Sequence, residues 1–450
     1  MAYATLTLNQ ALTDLGRRLN DPNAIFWTNA EKTLYLQEAV RALNAGASLF
    51  RDQFTFDPTV SQHWYDITTV SNTLRAQSVT DVDLYTEMEY HLLEPPTGAT
   101  WTGSNQFTIN DLLGAVQRRR DQLLFDTGCH LARSTQAAST AFVDAVLPEN
   151  VIDIRRMAWL PGATYTNKPL HRSDAWGQES YNPSTIGTVG VPSTWRRSTE
   201  APLTIAVNKI PPVAGNYEFI TVNSGAVLSA STPTILTVPD DFAWVIKYGA
   251  MADLLSRESV ARDPLRAEYC ERRYMQGMAL LQWAPAVLIA QLGQYYEDRP
   301  LRIDAVQNGD NYRPGWEAEA DTTPTRVYTA GLNMIALAPA PDSALIEINL
   351  TVVENALFPA SGTEYFQLGQ EDYDAMLDYA QHIAAFKHGG AEFVATLPLL
   401  NNFIRHIKRY NHKLVQMGEF TDIIYDQSQL QGKFFPVTVP ETEEPVKGNS

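Results

Sequence analysis

Apolar residues recur every three or four positions near the start of the chain, at Leu8, Leu12, Leu15 and Leu19. That is helical spacing. The Asp21-Pro22-Asn23 turn interrupts it, and Thr28-Asn-Ala-Glu31 has the form of a capping box opening a second helix, so residues 6–50 predict an antiparallel helical hairpin. From Asp81 to Leu92 the pattern changes to alternation. Asp81, Asp83, Tyr85, Glu87, Glu89 and His91 fall on one face, and Val82, Leu84, Thr86, Met88, Tyr90 and Leu92 on the other, which predicts a long strand with an acidic face. After the Pro95-Pro96-Thr-Gly98 break, Thr108-Ile-Asn-Asp111 again resembles a capping box, and Leu112, Leu113, Val116, Leu123 and Leu124 give a third helix over 108–126.

Pro148 and Pro161 bracket an expected strand, Val151 to Leu160, and the Gly-, Pro-, Ser- and Trp-rich stretch 161–200 reads as long surface loops. Asp240 or Asp241 is expected to cap a helix over 240–256, and Asp263-Pro264 to start another over 264–282. Residues 300–325 read as a linker. Two helices are expected at about 370–386 and 397–415. Beyond Gly418 the apolar pieces Ile423-Ile424-Tyr425 and Phe434-Phe435 lack periodicity, so they predict an arm that lies on its own body or on a neighbour. The last ten residues predict no ordered structure.

Two stretches share one plan. Leu203 to Val207, Pro211-Pro212, Tyr217 to Val222 and Pro239 to Tyr248 are followed in the same order by Met334 to Leu337, Pro339-Ala-Pro341, Leu345 to Val353 and Gln370 to Tyr379. In register, Asp241, Phe242, Val245, Ile246 and Tyr248 face Asp372, Tyr373, Met376, Leu377 and Tyr379. A strand pair feeding a helix, used twice, predicts construction and not chemistry. The expected fold class is α+β: a helical bundle (1–145 and 240–299) with a β-rich insertion (146–239), a linker (300–325), a second strand-plus-helix unit (326–418) and an extended C-terminal arm (419–450).

Composition narrows the function. The formal net charge of −17 over 450 residues argues against a broad nucleic-acid-binding surface and against adhesion to anionic membranes. The hydrophobic fraction of 44% is ample for packed cores. With only Cys129 and Cys270, folding need not depend on disulfides and an intracellular site of folding is expected. No signal peptide is recognisable at the amino terminus, and no run approaches the ~18 apolar residues of a membrane span.

The search for chemistry is mostly negative. Asp81, Asp83, Glu87 and Glu89 could be paired carboxylates of a glycan-cleaving enzyme, with Trp residues of the 159–195 region, or a calcium site. Same-face neighbours on one strand stand ~7 Å apart, so a solvated or channel-facing strand is the preferred reading. His382 and His388 are six apart, as are His406 and His412, which places each pair on different helix faces; no metal and no cofactor is expected. Phe386-Lys-His-Gly-Gly390 reads as a helix terminus with glycine at the cap, not a phosphate loop. Arg118, Arg119 and Arg120 on the third helix, and Arg405, Lys408, Arg409 and Lys413 on the last, are candidate patches for docking on an acidic protein ring.

Several ordered pieces then acquire meaning together: the hairpin with Trp27-Thr-Asn-Ala-Glu31, Trp64-Tyr-Asp-Ile67, the acidic segment at 81–89, and Val146-Leu-Pro148 leading into Val151-Ile-Asp-Ile-Arg155. Pro192-Ser-Thr-Trp195, the strand at 203–207, Val238 to Leu255 and Asp263-Pro-Leu-Arg-Ala267 follow. Their order over residues 6–285 resembles the head-to-tail adaptor (connector) proteins of tailed bacteriophages. The resemblance implies a non-enzymatic virion protein at the neck, folded in the host cytoplasm. It implies a ring, often of twelve copies, joining portal protein to the tail nozzle or tail tube and fibre proteins, with DNA only as passing cargo. On that reading the carboxylates at 81–89 are the candidate channel lining, since an acidic wall does not hold phosphates, and Ile423, Ile424, Tyr425, Phe434 and Phe435 are candidate arm contacts. The chain continues roughly 165 residues beyond the resemblance, and the repeat suggests that this extension reuses the adaptor's own strand-and-helix unit. The alternatives are a tail nozzle or fibre-docking hub, and the glycan-directed enzyme.

Overall fold

The computed structural model describes residues 6–70, 77–92, 106–138, 140, 144–161, 167–174, 188–197, 204–229, 232–259, 261–293, 299–319, 323–341 and 347–411. The expected hairpin is present as α1 (Leu8–Arg18) and α2 (Asn29–Ala47). Thr7 and Gln10 close a full capping box on α1. On α2, Thr28 accepts from the Glu31 backbone N–H at 3.2 Å, but the reciprocal half of the box does not form. The Glu31 carboxylate turns inward instead, accepting from the Tyr35 hydroxyl at 2.6 Å and pairing with Lys387 at 3.1 Å.

A short helix, α3 (Ile67–Val70), precedes the largest departure from expectation. Residues 81–91 form not a strand but a helix, α4 (Asp81–His91), with a reciprocal capping box between Thr80 and Asp83. The alternation was incidental. Leu84, Tyr85, Met88 and His91 lie at helical spacing and are all buried, and Thr-x-x-Asp, the signature that would have revealed the start, begins one residue before the segment was read. The third helix, α5 (Ile109–Thr127), starts on the expected Thr108–Asp111 box and ends at Gly128, whose φ of +59° supplies the left-handed cap.

Asp240 and Asp241 do not cap a helix directly; they lie in a 3₁₀ turn that leads into α6 (Ala243–Ser256). The Asp240 carboxylate instead takes the backbone N–H groups of Ser78 and Val79, and that of Asp241 takes Asn44 Nδ2 and the Ala356 N–H. The next helix, α7 (Pro264–Trp283), has Asp263 as its cap and proline in its first turn, as expected. Residues 300–325 are not a bare linker: they contribute β-structure, the helix α8 (Val306–Tyr312) and a 3₁₀ turn at Trp316–Ala318 that buries Trp316. The C-terminal helices are α9 (Gln370–Phe386), α10 (Gly390–Ala395) and α11 (Leu397–Tyr410).

The strands form three sheets. One orders β1 (Arg51–Phe56), β15 (Glu347–Val353), β10 (Val287–Gly293) and β11 (Arg299–Pro300). A second orders β12 (Arg302–Ala305), β13 (Arg326–Ala330), β14 (Met334–Ala338) and β2 (Trp64–Asp66), with β12 and β13 parallel. The third has seven strands in the order β3 (Leu131–Ala138), β9 (Gly215–Asn223), β5 (Val151–Leu160), β6 (Lys168–Arg172), β7 (Thr194–Arg197), β8 (Thr204–Val207) and β4 (Asp144–Val146).

Chain length forces this third sheet to curl. Its edge strands β3 and β4 are consecutive, and the six Cα steps from Ala138 to Asp144 span at most ~23 Å. A flat sheet would hold its edges about 29 Å apart. The curl encloses a core of its own, built from Met157, Trp159, Leu170, Trp195, Ile205, Tyr217 and Phe219, whereas one continuous core joins the helices to the other two sheets, from Leu8 to Ile407. The mixed α+β class is therefore as expected. No helix among the described residues is long and apolar enough to cross a membrane.

The two copies of the sequence plan do not fold alike. In the first, β8 and β9 share a sheet without pairing with each other; in the second, β14 and β15 belong to different sheets. The strand-pair reading of the repeat, and with it the reuse of one folded unit, is thereby overturned.

Candidate functional site

Two buried centres each join several charged side chains. At the first, α6 brings Lys247 into the helical core, where its Nζ pairs with the Glu38 carboxylate of α2, with Glu87 Oε2 at 2.9 Å and with His91 Nε2 at 3.4 Å on α4. Burial works against the ammonium, but the two carboxylates outweigh it and raise the Lys247 pKa. Glu87 is pushed up, chiefly by burial, with Lys247 opposing and Glu38 adding to the rise. His91 is held well below its usual range by burial and then by Lys247, so its ring is neutral. Beside it, the Arg273 guanidinium of α7 lies over the rings of Trp244 at 4.7 Å, Tyr379 at 5.3 Å and Tyr248 at 5.6 Å. It donates to the Tyr379 hydroxyl, which in turn donates to Glu38 Oε1 at 3.2 Å. Five helices are tied at this point.

The second centre joins the curled sheet to the helical body. Arg156 of β5 makes a bidentate pair with Asp310 of α8, at 2.6 and 3.0 Å, and its Nη1 reaches Glu218 of β9 at 3.0 Å and Glu317 at 2.9 Å. Trp64 and Trp316 flank the guanidinium at 5.5 and 5.7 Å and donate their indole N–H groups to Glu317 and Asp310. The two glutamates respond in opposite directions. Burial and repulsion from Glu317 push Glu218 up, whereas for Glu317 the Arg156 charge outweighs burial and holds the carboxyl below its usual range.

A cleft of about 310 Å³ opens beside Arg156, between the ends of α5 and α7 and the edge of the curled sheet. Its polar lining includes Thr127, Cys129, Arg155, Gln282, Gln307 and Thr329. Among the described residues no carboxylate or imidazole lines it, so none of them offers the thiol and hydroxyls there a general base. Among the described residues no three His, Cys, Asp or Glu side chains converge to hold a cation.

The four acidic candidates are dispersed. Asp81 is buried and accepts the Thr234 and Val82 backbone N–H groups; Asp83 caps α4; Glu87 pairs with Lys247; Glu89 is buried. Only Asp83 is exposed, because helical spacing rotates the others into the protein, so the acidic strand face proposed for a channel does not exist. The arginine triplet is likewise divided. Arg118 and Arg119 pair with Asp253, Arg119 also with Glu271, and Arg120 is fully buried on the Ala226 carbonyl and Asp121. Arg405 and Arg409 do stand exposed on α11, with Lys408 half-buried between them. Lys413, Ile423, Ile424, Tyr425, Phe434 and Phe435 lie outside the described residues.

Sequence reasoning missed Lys247, Arg273 and Arg156. A signal existed for the first: a single lysine inside the apolar run Trp244-Val-Ile-Lys-Tyr248 must find buried partners or distort the helix.

No protein-family description matches the chain. No curated protein matches it significantly either.

Proposed function

We propose that the chain is a structural virion protein, a head-to-tail adaptor that assembles as a ring between portal and tail and surrounds the path of the DNA. The observation that carries this reading is the use made of the buried charge. Lys247, Arg273 and Arg156 each tie several elements together, and no described residue supplies a base to the polar cleft beside Arg156. Such an arrangement stiffens a scaffold and leaves little for catalysis. The segments that carry the adaptor resemblance form the α1–α2 hairpin, β2, β5, β7, β8 and the α6–α7 pair, while the acidic segment at 81–89, expected as a strand, forms α4.

Exposed Arg405 and Arg409 form the surface offered to an acidic neighbour, with portal and tail proteins as the partners. The solution mass and electron micrographs of the purified protein, alone and mixed with portal, test the proposal. Rings that bind portal support it. A monomer indifferent to portal overturns it, and binding to tail or fibre proteins without portal replaces it with the nozzle or hub reading.

A further inference from the structure

Three arginines of the curled sheet converge on one buried carboxylate. Asp153 of β5 presents its Oδ1 to Arg197 Nη1 of β7 at 2.7 Å and to Arg172 Nη1 of β6 at 3.8 Å. Its Oδ2 faces Arg155 Nε, also of β5, at 3.7 Å. These strands are neighbours in the sheet, so the three side chains stand on paired strands and not on loops. The pairing of β5 with β9 slips between Ile154 and Arg156, which leaves Arg155 out of the ladder at a bulge, a device by which strands re-aim a side chain. The buried Trp195 ring supports the Arg172 guanidinium at 5.8 Å.

Asp153 holds this cluster together without neutralising it. Three positive charges against one negative leave +2 at one point of a chain whose formal net charge is −17. The donors are largely unspent as well. The Arg172 guanidinium is 51% exposed and makes no hydrogen bond with a described residue, Arg197 makes one with Asp153, and Arg155 makes one with the Phe125 carbonyl. Arginine offers five N–H donors in a planar fork that suits an oxyanion. Arg155 also links the cluster to the 310 Å³ cleft, which it lines together with uncharged Thr127, Gln282, Gln307 and Thr329. The other cation there, Arg156, is engaged by Asp310, Glu218 and Glu317. Small-molecule sites begin at about this size, roughly 300 Å³.

We propose that Arg155, Arg172 and Arg197 hold the dianionic phosphate of a phosphomonoester whose uncharged, hydrogen-bonding part enters the adjoining cleft. A phosphate monoester carries about −1.5 to −2 charges at neutral pH and three acceptor oxygens, which matches the uncompensated charge and the unspent donors. A single carboxylate would neutralise only half of that charge. Duplex DNA needs cations spread along successive phosphates, whereas these crowd around one carboxylate and the rest of the chain repels a polyanion.

The test is calorimetric titration of the full-length chain in a phosphate-free buffer of low ionic strength. The probes are adenosine 5′-monophosphate, adenosine, inorganic phosphate, and a short single-stranded oligonucleotide with and without a 5′-phosphate. Adenosine 5′-monophosphate should bind once per chain, adenosine should not bind, and inorganic phosphate should compete. Arg172→Gln and Arg197→Gln should each weaken binding about tenfold or more, whereas Arg262→Gln, at an exposed arginine elsewhere, should leave it unchanged. The Arg172 guanidinium bonds to no described residue, so its variant tests the site even where loss of Arg197 unsettles Asp153. An oligonucleotide that binds only when phosphorylated, through the same arginines and more tightly than the mononucleotide, makes a nucleic-acid end the source of the phosphate; weaker binding makes it a free small molecule. Binding that ignores the phosphate, or survives both substitutions unchanged, overturns the proposal. So does a failure of every phosphorylated probe to bind at about 1 mM.

Discussion

Replacing Lys247 by Met keeps an unbranched side chain one atom shorter and removes the only cation bonded to both Glu38 and Glu87 among the described residues. Leaving a buried charge without its partner costs about 3–5 kcal/mol. Protonation sets the upper limit. Glu38 keeps the Tyr379 hydroxyl, whereas Glu87, already pushed up by burial, takes up a proton. Protonating a carboxyl with a reference pKa of about 4.3 costs ~3.7 kcal/mol at pH 7 and ~1 kcal/mol at pH 5. The sign follows from the direction of the shift: a carboxyl whose folded pKa exceeds its unfolded value loses stability as pH rises between the two. The variant should therefore lie about 4 kcal/mol below the unmodified protein at pH 7 and recover most of that by pH 5, measured by urea unfolding followed through tryptophan fluorescence. The triple change Lys247→Met, Glu38→Gln, Glu87→Gln should recover most of the loss at pH 7. An equal deficit at both pH values would refute the reasoning, because it would mean that lost packing and not uncompensated charge is responsible.

Arg156→Met should cost about 3–5 kcal/mol by the same logic and release the curled sheet, so limited proteolysis should cut between residues 144 and 223 before the helical body; equal resistance of the two would show that Asp310, Glu218 and Glu317 do not rely on it. Glu354 is raised to about 7 by burial and by the neighbouring Asp52 carboxyl. Its folded pKa lies above its unfolded value, so the stability it provides is present below pH 4.5 and is lost as pH rises through 7. Because the group is partly solvated the effect should be about 1 kcal/mol, and Glu354→Gln should flatten the pH profile of the unfolding midpoint in that window. Gly277→Ala would place a Cβ on α7 2.3 Å from Val245 Cγ2 of α6. The overlap should reverse the usual helical gain of alanine into a loss of about 1–3 kcal/mol, while Gly114→Ala on α5, with nothing within 4 Å, should raise the melting temperature.

Helices were the legible part of the sequence. The spacing of Leu8, Leu12 and Leu15, the Thr108 box and the Asp263-Pro264 start each rest on contacts within a few residues, and each helix begins within a residue or two of its expected place. The segment at 81–91 resembles a strand in sequence, but its period-two alternation over eleven residues also leaves Leu84, Met88 and His91 on one helical face. The buried centres were not legible for a different reason. Glu38, Glu87 and Lys247 are separated by 49 and 160 residues, and only the tertiary fold brings them within bonding distance. The arginine triplet fails as a surface patch on the same ground, since its acidic partners Asp253 and Glu271 lie on α6 and α7.

The repeated plan retains a physical meaning after its strands have parted. Tyr248 and Tyr379, which the register placed opposite each other, both lie against the Arg273 guanidinium, and Tyr379 reaches Glu38 while Lys247, beside Tyr248, reaches the same carboxylate. The helices α6 and α9 thus present corresponding aromatic residues to one buried charge centre. The acidic residues near their starts diverge: Asp241 holds Asn44 and the Ala356 N–H, and Asp372 holds His406 and Tyr410. What recurs is a helix that must be buried on nearly all sides around a shared cation. The strands ahead of it are free to join whichever sheet lies nearest. Similarity confined to the helices is what convergence on a common packing problem produces, whereas duplication of a folded unit would have preserved the pairing of the strands as well.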